Sequence, residues 1–161
     1  TIVGEWANLG AGTTTSNLKN TYGDVRLPIN GRAESSGRTF MGSIIADHAK
    51  LGIGTYLSTG SVIGFASHVT VARPPKFVPS FAWVTSEGPG TGGGLRPVSY
   101  HIGRIDFEKV TALAKTVMGR RNIEYTPADH ELFVRIAGEY ATREAFDWDD
   151  HIPRYAPPES P

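Results

Sequence analysis

The chain has 161 residues, 39% of them hydrophobic, with 16 basic and 16 acidic side chains. That length fits one domain or a small domain with an appendage, and the balanced charge argues against a general nucleic-acid binder, which would carry a basic excess. There is no cysteine, which excludes disulfides, thiolate nucleophiles and cysteine-ligated metals. No apolar run reaches the roughly 18–20 residues of a membrane span, and the N-terminal residues lack the basic-then-apolar pattern of a secretory signal. A soluble, cytoplasmic protein is therefore expected. The 19 glycines lie mostly before residue 105 and point to many tight turns there.

In chain order, the first signal is a repeat of six. Val3, Gly4 and Ala7 are followed in the same phase by Leu9, Gly10 and Thr13. The phase returns at Ile45, Leu51, Leu57, Ile63 and Val69, all aliphatic. Each is followed by a small residue, and Ala49, Thr55, Ser61 and Ser67 stand four positions after the first four aliphatics. A hexad of this kind is a short strand plus a turn, with the aliphatic residue inward and a small residue at the corner. Three hexads close one triangular coil, and stacked coils exchange backbone hydrogen bonds at about 4.8 Å. The expected fold is an all-β repeat, a left-handed parallel β-helix of hexapeptide repeats, with a C-terminal extension of two α-helices. A β-sandwich of short strands is the alternative, and it would space its strands less regularly.

The polar stretch SNLKNTYGDVRLPINGRAESSGRT, within residues 15–40, interrupts the repeat. It reads as a long loop thrown out from one corner, and insertions into repeats tend to lie on the binding face. After Val71 come three prolines and three aromatics in ARPPKFVPSFAWV. Proline removes a ladder donor, so this segment is expected to leave the coils and pack as a cap over the last of them. Residues 85–99 read as a flexible glycine-rich linker. A helix is predicted from the N-cap Asp106, with Phe107, Val110, Leu113, Ala114 and Val117 on one face. A second begins at Thr126-Pro127, with Leu132, Phe133, Ile136 and Tyr140 as its apolar stripe. The tail from Pro153 is expected to be disordered. The expected division is 1–75 β-helix with its insertion, 76–104 cap and linker, 105–145 helical hairpin and 146–161 tail. Seven hexads make just over two coils, and the chain opens in phase, so it is expected to be part of a longer protein.

Two segments carry a specific resemblance. Asn8, Leu9-Gly10-Ala11-Gly12, Thr13 to Thr15 and Asn17 form one, and NGRAESSGRTFMGSIIADHAKLGIGT the other. Together they resemble the C-terminal acetyltransferase domain of bifunctional sugar-1-phosphate nucleotidyltransferase/acetyltransferases, the glucosamine-1-phosphate acetyltransferase and N-acetylglucosamine-1-phosphate uridyltransferase type. PPKFVPSFAW and the helical RRN run are similar to its alternative bacterial branch, and the insertion to that branch and the archaeal one. The resemblance covers about residues 1–145. It implies a left-handed β-helix that assembles as a parallel homotrimer with active sites between subunits. It also implies transfer of acetyl from acetyl-CoA to an amino sugar 1-phosphate in UDP-N-acetylglucosamine synthesis. The family's general base is a histidine in the coil before the LGAG segment, so it is expected upstream of Thr1, as is the Mg-dependent nucleotidyltransferase domain.

Acetyl transfer to an amine needs a base for the ammonium proton, donors for the oxyanion, and cations or amides for the phosphates. By resemblance, Asn8 and Asn17 line the sugar site; the alternative is turn-stabilising asparagine. The family's tyrosine after the second asparagine is Leu18 here, so that sugar contact differs. Lys19 and Arg26, in the insertion, are candidates for the sugar phosphate, against the alternative of solvated loop charges. By resemblance Ser43 contacts CoA. Lys50, Arg73 and Lys76 are candidates for the CoA phosphates, although surface lysines are common. His48 and His68 are the histidines in the coils. Two without a third do not make a zinc site, so no metal is expected and a polar surface role is assigned to both, with His48 as a substitute for the missing base the alternative. Such a β-helix is also expected to leave apolar faces that trimerisation would cover. The second functional reading is a non-catalytic β-helix that serves trimerisation or regulation of a sugar-1-phosphate nucleotidyltransferase.

Overall fold

The computed structural model describes residues 1–86 and 100–143, with side chains through residue 139. Most of the glycine-rich linker, the Tyr140 side chain and the proline-rich tail lie outside what is described.

The chain is built of two-residue strands that pair in parallel. They are β1 (Ile2–Val3), β2 (Asn8–Leu9), β3 (Thr14–Thr15), β6 (Ile44–Ile45), β7 (Lys50–Leu51), β8 (Tyr56–Leu57), β9 (Val62–Ile63), β10 (His68–Val69) and β11 (Phe77–Val78). The longer β12 (Ala82–Ser86) and β13 (Tyr100–Arg104) follow. The first sheet runs β1-β6-β9-β11, the second β2-β7-β10-β12-β13, and the third pairs β3 with β8. The chain therefore visits the three sheets in rotation, an order compatible with a β-helix. Ile45, Leu51, Leu57, Ile63 and Val69, the inward members, are all at most 3% exposed. The small corner residues are equally buried, and their hydroxyls satisfy the turn: Thr55, Ser61 and Ser67 each donate to the carbonyl three residues back at 2.8 Å.

Two departures from the hexad pattern shape the molecule. The proline-rich segment does not leave the stack. Phe77–Val78 pairs with Val62–Ile63, and Trp83–Val84 with His68–Val69. The prolines sit between these pairing residues and so remove no ladder donor from the first two sheets, which is why the expectation of an unpaired cap fails there. The turn is shortened on the third side, where Pro74 and Pro75 stand in place of a strand. The edge is covered instead by β13, which lies antiparallel along β12.

The insertion contains an antiparallel hairpin, β4 (Arg26–Ile29) with β5 (Arg32–Ser35). Its turn is Asn30-Gly31, at φ 46° and 75°, the left-handed pair that a two-residue hairpin turn requires. Val25 and Leu27 are buried. Gly60 lies so close beneath that a Cβ there would stand 2.7 Å from Val25 Cγ1. The two ends of the insertion meet where Met41 N–H donates to the Asn17 carbonyl and Leu18 bridges Phe40.

Helix α1 (Phe107–Gly119) starts on Asp106, whose carboxylate accepts from Lys109 N–H. Helix α2 (Pro127–Arg143) starts on a reciprocal cap between Thr126 and Asp129. Both cover the corner between the first and second sheets. Phe65, Ala66, Phe81, Ile105, Val110, Ala114 and Phe133 form that second core. On α1 the buried residues are Val110, Thr111, Ala114 and Met118, with Phe107, Leu113 and Val117 half-buried. On α2, Phe133 is buried and Leu132 is largely exposed. No described helix is long and apolar enough to cross a membrane.

Candidate functional site

In each two-residue strand the second member points inward and the first outward. Asn8, Lys50, His68 and Trp83 are therefore neighbours on the outer face of the second sheet, in register across four strands. Beside Asn8 and Lys50 lies a groove of about 560 Å³, lined also by Trp6 and by Val117, Arg120 and Arg121 at the C-terminal end of α1. Lys50 Nζ donates to the Trp6 carbonyl at 2.6 Å, which fixes the ammonium on the groove wall. Burial lowers the Lys50 pKa. Burial, and then the Lys50 charge, lower that of His68, whose ring meets Trp83 edge-on at 6.1 Å.

His48 stands behind this groove, at the corner. It is 8% exposed, stacked on Trp6 and edge-on to Phe65 and Phe133. Its Nδ1 is buried without a hydrogen-bond partner. Burial lowers its pKa first and Lys50 second, with Asp47 and Asp129 opposing. An imidazole enclosed by three aromatic rings is a packing group and is not at the surface. Among the described residues no group of three or more His, Asp or Glu is placed to hold a metal ion.

The other sequence-predicted residues fall into separate places. Lys19 and Lys76 gather at the foot of the hairpin, beside the Arg26 backbone. Lys76 Nζ donates to the Arg26 carbonyl at 2.6 Å and Lys19 Nζ to the Asp24 carbonyl at 2.8 Å. The Lys76 pKa is lowered by burial and then by the Lys19 charge. Asn17 is exposed at the root of the insertion. Ser43 is fully buried, with its hydroxyl 2.7 Å from that of Thr15. Arg73 is exposed, and its carbonyl accepts from the Tyr100 hydroxyl. Asn8 and Lys50, assigned to different ligands from sequence, thus share one groove, while Lys76 stands with the insertion. Arg120 and Arg121 escape the hexad pattern because they lie outside it. Their sequence signals are a pair of adjacent arginines ending an amphipathic helix and the RRN run that shares in the resemblance.

No family model matches the chain. A bifunctional sugar-1-phosphate nucleotidylyltransferase/acetyltransferase from Sulfurisphaera tokodaii is 35% identical over 63 residues, 39% of this chain and 16% of that protein. The chain thus matches a small part of that relative, and the likeness supports a related function at the level of that broad class.

Proposed function

We propose that this chain is a left-handed parallel β-helix and that the protein transfers acetyl from acetyl-CoA to the amine of an amino sugar 1-phosphate. The observation that carries this reading is the coincidence of two signals. The hexad columns form three rotating parallel sheets, and the 63-residue likeness is to a protein named for both nucleotidylyl and acetyl transfer. In the reaction the free amine attacks the thioester carbonyl, the C–N bond forms and the C–S bond breaks. The amine proton must leave, and the CoA sulfur departs as the thiol. Two cationic places are available for two phosphorylated substrates. Lys19 and Lys76 at the foot of the hairpin, with Arg26 opening its first strand, suit a single sugar phosphate, and the groove around Lys50 suits the phosphates of CoA. Asn8, beside Lys50, offers an uncharged donor and acceptor to the ligand of that groove. His48 is too enclosed to serve as the base. A homotrimer is part of the reading, since Ile2, Phe40, Ile53 and Tyr56 are all more than half exposed and association would cover them. So is a cytoplasmic location, where both substrates would be met.

The test is kinetic. Arg26→Ala in the natural protein should raise the KM for the amino sugar phosphate roughly ten- to hundredfold, the loss of one charge-assisted hydrogen bond. The KM for acetyl-CoA should barely move. Unchanged kinetics for both substrates removes Arg26 from the site, and a defect confined to acetyl-CoA moves it to the donor site. A trimer that shows no transfer at all favours the non-catalytic reading, in which the β-helix only assembles a nucleotidyltransferase.

A further inference from the structure

We propose that His48 is an acid-sensitive latch: protonation of its ring releases α2 from the corner between the first and second sheets and so loosens the helical pair that covers it. The latch is independent of the proposed reaction.

The corner is formed by the residue three places after each inward member of the first sheet. Trp6, His48, Ala66 and Phe81 stand there in turn, all at positive φ, 59°, 58°, 52° and 57°. The last three each donate their N–H to the turn before, to the carbonyls of Glu5, Asp47 and Phe65. Left-handed backbone favours glycine or asparagine, so rings at three of the four levels need another reason. They make one column. Trp6 and His48 stack at 6.4 Å with their planes 22° apart. Ala66 brings only a methyl group, and Phe133 of α2 supplies the ring at that level, 5.0 Å from His48 and 6.3 Å from Phe81. Phe133 is the one fully buried side chain among the described residues of α2. The helix is therefore plugged into the corner at a single point, and His48 is one wall of the socket.

That wall is a poor place for a charge. His48 Nδ1 is buried without a hydrogen-bond partner. A neutral ring leaves one acceptor unpaired there, whereas an imidazolium adds a donor and a charge with nothing to receive them. The charged groups around it do not help. Asp47 and Lys50 come from its own turn, Glu5 from the first turn, Asp129 and His130 from α2, and Arg120 and Arg121 from the end of α1 across Trp6. The Asp47 carboxylate accepts from Glu5 N–H at 2.7 Å, and that of Asp129 from the Thr126 N–H and hydroxyl at 2.7 and 2.6 Å. Lys50 repels a second cation. Burial and Lys50 outweigh both carboxylates, so the docked ring resists protonation. With α2 lifted the ring meets water, and Asp47 and Asp129 are free to attract it. The released state therefore binds the proton better, and falling pH shifts the population towards release. Helix α1 shares the core of Ile105, Val110, Ala114 and Phe133, so loss of the plug loosens it too.

Hydrogen exchange of the natural protein at pH 7.5 and 5.5, with labelling times scaled for the intrinsic chemistry, tests this. The open population of α2 should rise several-fold at the lower pH. About tenfold is the ceiling, which one histidine of ordinary pKa about 6.5 sets over that interval. Amides of β6 to β9 should keep their protection. His48→Phe, which retains a ring and takes no proton, should abolish the rise. His48→Gln, smaller and also without a titrating group, gives the same readout if the phenylalanine is too large for the socket. His68→Gln should leave the rise intact. Equal protection of α2 at both pH values overturns the proposal. So does a rise that survives both His48 variants, a rise abolished by His68→Gln, or loss of the sheet amides together with those of α2.

Discussion

Val3 and Val78 hold equivalent places in the first sheet. Both point inward, in the column Val3, Ile45, Ile63, Val78. Yet Val3 is 51% exposed and Val78 fully buried. The second sheet repeats the contrast, with Leu9 39% exposed and Val84 fully buried. In the first sheet β1 and β11 each pair with one neighbour, so backbone pairing does not distinguish its two ends. What differs is cover. The later turns have β13 along their edge and two helices on their corner, and among the described residues the first turn pairs with the second alone. In a repeat fold each unit is stabilised by what it touches, so an identical residue in an identical strand does not contribute equally.

Substitution of these two valines sharpens the contrast most. In the 161-residue chain, Val78→Ala should cost about 2–4 kcal/mol, from lost burial plus a cavity, and Val3→Ala less than about 1 kcal/mol. Urea denaturation of both variants reads the difference. Equal losses would mean that the exposed end of the column is covered in solution.

A pair of glycines makes the same comparison at the corners. Gly54 and Gly60 share a positive φ, 66° and 69°, but Gly54 faces open space while Gly60 lies under Val25 and the Arg26 carbonyl. Alanine at Gly54 should cost only the left-handed strain, about 1–2 kcal/mol. At Gly60 it should cost more, because the hairpin must lift. Protease cleavage within the insertion should then rise for Gly60→Ala alone. Similar cleavage in both variants would show that the hairpin is not seated on Gly60.

The helix-covered corner predicts a pH effect. His48 and His68 both have pKa values lowered chiefly by burial. The unfolded chain therefore binds protons more readily than the folded one below the ordinary histidine value of about 6.5. The stability they contribute is fully present above that value and is lost as pH falls through the lower folded values. Phe133→Ala, which opens the ring cage around His48, should flatten this acid slope. Thermal melts at pH 7.5 and 5.5 check it, and an unchanged slope would assign the effect to His68. The smallest effect is expected at the α1 cap, where Asp106→Ala should cost about 1 kcal/mol.

Much of this architecture was legible in the sequence because the hexad couples two constraints, an aliphatic inside and a small residue at the corner, and chance rarely supplies both together. The helix starts at Asp106 and Thr126 were equally readable from side chains that satisfy free N–H groups. The prolines misled, since their effect depends on whether they fall at a pairing position or between two. The hairpin in the insertion was missed although Asn30-Gly31 signals a two-residue turn, because the polar composition around it reads as loop. The groove was least legible. Asn8 and Lys50 are 42 positions apart and become neighbours only through register, and Arg120 and Arg121 reach them only through the docking of α1.

The functional account is tested most directly by acetyl transfer in the natural protein, with acetyl-CoA and a hexosamine 1-phosphate supplied together and both the CoA thiol and the acetylated sugar phosphate measured. The account predicts one thiol released for each N-acetyl group formed, and release that depends on the amino sugar phosphate. Thiol release that ignores the sugar phosphate, or no release while the protein is folded and assembled, would contradict it.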